Sequence, residues 1–146
     1  MKWLLTISMI FMAIVAEAKE PENRSDNENI YGIDFHSGTW KEALEKAEKE
    51  GKPIFLDISA SWCGPCNMLK ENTFSNAEVG KYYNENFINV LIDGEKGEGP
   101  SLARKFQITG YPTMIYLNSK GEIIARTSGY RDPATFVEMG KTVLAQ

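Results

Sequence analysis

Between Pro53 and Cys66 the chain reads PIFLDISASWCGPC. The run from Pro53 to Ser59 is almost continuously apolar, which is the pattern of a strand covered on both faces by helices, as in a parallel sheet. Asp57 is its one discordant residue, and the only two cysteines of the chain follow it six and nine positions later. A strand that ends on a cysteine pair, with a carboxylate inside it, constrains both the fold and the chemistry.

The flanking sequence alternates between the two periodicities. Ile33 to Phe35 (IDF) reads as a short strand. TWKE then matches a capping box with Thr39 at the N-cap and Glu42 at N3. Trp40, Ala43, Leu44 and Ala47 recur at helical spacing until Gly51 and Pro53 stop the helix. After the cysteines a helical stretch runs through Met68 and Leu69, and SNAE (Ser75 to Glu78) offers a second capping box for a short helix ending near Asn84. FINVLID is a further buried strand, GEKGEG a loop, and Pro100 suits the first turn of a helix reaching Phe106. TMIYL and EIIARTS are strands joined across NSKG. Asp132 and Pro133 open a last helix with Phe136, Gly140, Val143 and Leu144 on one face. This order predicts an α/β fold: a parallel half with right-handed crossovers, an antiparallel hairpin beside it, and helices on both faces of a central mixed sheet.

The first residues are of another kind. Lys2, an apolar run from Trp3 to Val15 and AEA at 16–18 read as a signal peptide over residues 1–18. The run is shorter than the roughly 20 residues of a spanning helix, so no membrane span is expected after cleavage. Residues 19–32 are polar and charged and read as a flexible leader, leaving 33–146 as the folded domain. The formal net charge of −4 without basic runs gives no electrostatic case for nucleic acid.

Export changes how the cysteines are read. Two cysteines make no stapling framework, and closing a loop of two residues restricts the unfolded chain very little. Zinc requires about four ligands, and the one histidine, His36, precedes an SG turn at the start of the domain. Neither a metal nor another cofactor is expected beyond the cysteine pair itself. Cys63 falls where the strand gives way to a helix, and the free N–H groups there stabilise a thiolate. It is expected to be the surface-accessible, attacking sulfur, with Cys66 one turn further in to resolve the mixed disulfide. Desolvation raises the Asp57 pKa, which fits it to take the Cys66 proton; a structural role for Asp57 is the other reading.

These residues, in this order, resemble the thioredoxin superfamily: Asp57 in a buried strand, WCGPC, GYPT from Gly110 to Thr113, and Gly129 before the last helix. The resemblance covers 33–146 and implies the thioredoxin fold, a three-layer sandwich with Tyr111–Pro112 as a cis peptide facing the cysteines. It also implies a client-binding surface of Trp62, Gly64, Pro65, Tyr111, Pro112 and Gly129. GKPIFLDISASWCGPC, TFSNAEV and SGYRDPATF are most similar to exported members, including the C-terminal domain of the membrane thiol-disulfide interchange reductase. The chain departs from the family at Ser59, where cytosolic thioredoxins carry tryptophan, and at Asn67 and Asn89, where lysines are common; Lys70 stands where the interchange-reductase domain tends to carry an acid.

The expected function is that of a periplasmic disulfide reductase: a monomer that reduces or repairs client disulfides and draws electrons from a membrane thiol reductase. GP between the cysteines is the reducing-type dipeptide. Two other readings stay open, an oxidase or isomerase, and a thioredoxin-fold binding module with a structural disulfide.

Overall fold

The computed structural model describes residues 32–146. The signal-peptide reading and all but the last residue of the leader lie outside the described residues. The elements run α1 (Trp40–Glu50), β1 (Ile54–Ser59), α2 (Gly64–Met68), a π-helical turn (Leu69–Phe74), α3 (Ala77–Asn86), β2 (Ile88–Asp93), α4 (Gly99–Lys105), β3 (Thr113–Leu117), β4 (Ile123–Ser128) and α5 (Pro133–Leu144). The sheet order is β2-β1-β3-β4. β1 pairs parallel with β2 and antiparallel with β3, and β3 and β4 form the hairpin.

Alternation along the strands divides the core in two. Ile54, Leu56 and Ile58 of β1 join Ile88, Val90, Ile115 and Leu117 under Trp40, Ala43 and Ala47 of α1 and Leu102 of α4. The opposite face carries Phe55, Met114 and Tyr116 beneath Leu69 and Phe74, Val79 and Tyr83 of α3, and Phe136 and Val143 of α5. Helices therefore cover both faces of a mixed four-stranded sheet, the thioredoxin arrangement. At roughly 1.5–3 kcal/mol for each fully buried large apolar side chain, these two layers supply the main drive for folding.

Local signals account for the element ends. Thr39 and Glu42 form the reciprocal capping box, and Gly51, at φ 64°, closes α1 in the left-handed conformation. Asp132 accepts the Thr135 N–H at the start of α5, with Pro133 in its first turn. At the hairpin Gly121 has φ 82°, a backbone shape that disfavours residues with a Cβ.

Four expectations are corrected. Ile33–Phe35 is not a strand: Ile33 N–H donates to Phe74, Asp34 N–H to the Asn84 side chain and His36 N–H to Asn89, so the segment is tied to three places rather than to one ladder. Asn76, not Ser75, caps α3, accepting from Glu78 and Val79 N–H, because the Ser75 hydroxyl is engaged with the Glu71 carbonyl. That helix also runs two residues past Asn84. Leu144 lies at the exposed end of α5 rather than in its buried face.

Candidate active site

β1 and β2 run parallel and in register, so their C-terminal residues Ser59 and Asp93 are paired neighbours. The loops that leave them emerge side by side at the end of the sheet where α/β folds place their ligands. The first loop carries the cysteines. Cys63 is the N-cap of α2 and Cys66 lies in its first turn, with Pro65 between them and a Cα–Cα separation of 5.3 Å. The two are joined as a disulfide. The Cys66 N–H donates to Cys63 Sγ at 3.2 Å. Gly64 and Pro65 are exposed.

Cys63 is less open than expected. Only 4% of its surface is accessible, against 1% for Cys66, because the bonded sulfurs cover one another and pack with Ala60 and the half-buried Tyr111. The exposed marker of the site is instead Trp62, at 68%.

Tyr111–Pro112 is a cis peptide. The loop that holds it is tied by the Thr113 hydroxyl, which donates to the Gly110 carbonyl at 2.7 Å, and by the Gly129 N–H, which donates to the Pro112 carbonyl at 3.2 Å. Tyr111, Pro112 and Gly129 line one open groove with Ile108 and Thr127. Trp62 reaches the same loop, its ring 6.0 Å from that of Tyr111 in an edge contact at 71°. Tyr111 thus links the predicted residues: Trp62 and the buried Cys63–Cys66 pair pack against it, and it lines the groove with Pro112 and Gly129.

Asp57 lies in β1, the strand that leads to the cysteine loop. It pairs with Met114 across β1 and β3 and shares the sheet face of Phe55, the face covered by the helical run 64–74. Only 1% of it is accessible, and neither carboxylate oxygen has a hydrogen-bond partner. Desolvation raises its pKa to about 7; the nearby Ser59 hydroxyl and the Lys70 charge pull the other way and offset this only in part. Asn89, a departure from the family, points its amide N–H groups at the Asp34 carbonyl and Asn84, so it serves the edge of β2. Among the described residues no three of His, Cys, Asp and Glu converge as a metal site, and no helix is long and apolar enough to cross a membrane.

One contributor was not foreseen. The loop after β2, read only as a connection, brings Gly94 against the Tyr111 ring, where a Cβ would approach the phenol oxygen to 2.5 Å, and Glu95 against Trp62. The signal that would have found it is topological: it leaves the strand parallel to β1 at the same end.

A strand-to-helix cysteine pair beside a cis-proline loop on this sheet defines the thioredoxin-like class of disulfide oxidoreductases. The family model described as a thioredoxin-like domain matches residues 40–144, and the chain belongs to that family. Among curated relatives, it is 48% identical over 81 residues to Spermatogenesis-associated protein 20 of Rattus norvegicus, covering 56% of this chain and 9% of that protein. It is 33% identical over 95 residues to the Thiol:disulfide interchange protein DsbD of Yersinia pestis (strain Pestoides F), covering 63% of this chain and 16% of that protein. Among solved structures, one described as "a putative disulphide-isomerase from Bacteroides thetaiotaomicron" superposes with a TM-score of 0.68 at 38% identity, covering 78% of this chain and 94% of the other. The chain therefore spans a small part of the length of these curated relatives.

Proposed function

We propose that the protein is an exported disulfide reductase, reducing or repairing disulfides in client proteins and recharged by a membrane thiol reductase. The observation that carries this reading is the bonded Cys63–Cys66 pair at the N-cap of α2, next to the exposed Trp62 and the Pro112 loop. In the reduced protein the Cys63 thiolate attacks one sulfur of a client disulfide. A Cys63–client bond forms, the client S–S bond breaks, and the departing thiolate takes a proton from water. Cys66 then gives its proton to Asp57, and its thiolate attacks Cys63 Sγ. This forms the Cys63–Cys66 bond and releases the second client thiolate. Two electrons pass from the cysteine pair to the client, and a dithiol donor must return them.

Several features support these roles. The Cys66 N–H already points at Cys63 Sγ, where it favours negative charge on that sulfur. Asp57, with a pKa near 7, is poised to hold or release a proton at neutral pH. The Trp62, Gly64, Pro65, Tyr111, Pro112 and Gly129 surface offers the client a place to lie beside the sulfur. Lys2, the apolar run and AEA at 16–18 support export.

The test of direction is the equilibrium of the pair in glutathione buffers. A reductase is expected near the thioredoxin value of about −270 mV, and a value above about −180 mV overturns that direction in favour of an oxidase or isomerase.

A further inference from the structure

Trp62 is held from two sides. Its ring meets Tyr111, and its indole N–H donates to Glu95 Oε2 at 2.9 Å. Glu95 is fixed in turn by its own N–H, which donates to Asp93 Oδ1 at 2.9 Å, and its neighbour Gly94 is fixed by an N–H bond to the Ser59 carbonyl at 2.8 Å. The carboxylate therefore sits on a tied loop beside the residue that precedes Cys63. Lys96 turns to Asp93 at 3.6 Å, and among the described residues Glu95 makes no ion pair. Glu95 is exposed, one of its oxygens is engaged by the indole, and a carboxylate accepts several further hydrogen bonds. Most of the indole is open as well.

Resting on the reductase reading, we propose that Glu95 is a positioning and specificity residue: it clamps Trp62 and, with the open indole, selects client segments that carry lysine or arginine beside the disulfide. A cation in that place meets a carboxylate and an aromatic ring together, one by charge and the other by cation–π attraction. An acidic client segment meets repulsion from the same carboxylate. The negative potential is already felt by the nearest phenol: Tyr111 is pushed above its ordinary pKa first by desolvation and then by Glu95 and Asp93.

The test uses the full chain with dithiothreitol as reductant and three cyclic peptides of equal length, closed by one disulfide and flanked by lysine, glutamate or serine. The wild type is expected to favour the basic over the acidic peptide in kcat/KM by about fivefold at low salt, a preference that shrinks as salt screens exposed charges. Glu95→Gln keeps an acceptor for the indole and loses the charge, so the ratio should fall toward one while the Trp62 indole N–H stays slow to exchange. Glu95→Ala should lose both, and Glu85→Gln on α3 should keep the wild-type ratio. Reduction of all three peptides without preference, or a preference retained by Glu95→Gln, overturns the proposal and leaves the reductase reading standing. If the wild type reduces none of them, the reductase reading fails and the proposal fails with it.

Discussion

The backbone N–H of Cys66 donates to Cys63 Sγ at 3.2 Å within the turn their disulfide closes. The helix start is thus built around one of the two sulfurs, and the different tasks we propose for the cysteines rest on this asymmetry: Cys63 at the cap with a donor aimed at it, and Cys66 buried inside the turn.

The first prediction concerns Asp57. A carboxyl whose folded pKa is raised from the ordinary 3.8 to about 7 binds more protons in the native than in the unfolded state between those values. Stability is then greatest below pH 4 as far as this group is concerned, declines as pH rises to about 7, and is flat beyond. Across that interval the loss is roughly 4 kcal/mol. Asp57→Asn should abolish this decline and be the more stable protein above pH 7, as read by urea unfolding of the oxidised form across pH. The same variant should slow release of the client from its mixed disulfide by about a hundredfold if Asp57 takes the Cys66 proton.

A second prediction isolates a buried pair that the proposed chemistry does not use. Tyr83 donates to the Phe136 carbonyl at 2.9 Å, and its oxygen lies 2.7 Å from that of Tyr116, so the Tyr116 hydroxyl must be the donor between them. Burial pushes both phenols well above their ordinary pKa. Tyr83→Phe strands the Tyr116 hydroxyl and should cost about 2 kcal/mol, whereas Tyr116→Phe should cost about 1. The double variant should cost less than their sum in urea unfolding, since the second change removes the stranded group.

Much of this was legible in the sequence, where local chemistry and global fold agree. Thr39 and Glu42 announce α1, the apolar run around Asp57 announces a central strand, and the resemblance, not local chemistry, points to the cis Tyr111–Pro112 peptide that the structure contains. What was missed depends on partners distant in sequence. Ile33–Phe35 has strand composition but is bound to Phe74, Asn84 and Asn89. Ser75 and Asn76 are both good caps, and only the π-helical turn before them decides between the two. Glu95 carries no local mark at all; it reaches Trp62 because β2 lies parallel to β1.

A third prediction tests the loop that carries Glu95. A Cβ at Gly99 would overlap the Asp93 carbonyl oxygen, a backbone atom that cannot swing aside. Gly99→Ala should lower stability by about 2 kcal/mol or more, whereas Gly110→Ala, where nothing lies within 4 Å of the new methyl, should stay within about 0.5 kcal/mol. Thermal unfolding of the two variants gives the comparison.

The most direct measurement is mass spectrometry of Cys66→Ala and Cys63→Ser chains, each reduced, freed of reductant and mixed with insulin. Cys66→Ala should accumulate a covalent insulin adduct joined through Cys63, Cys63→Ser should accumulate little or none, and neither should sustain insulin reduction when dithiothreitol is supplied. A Cys63→Ser chain that reduces insulin as fast as the wild type would contradict the account.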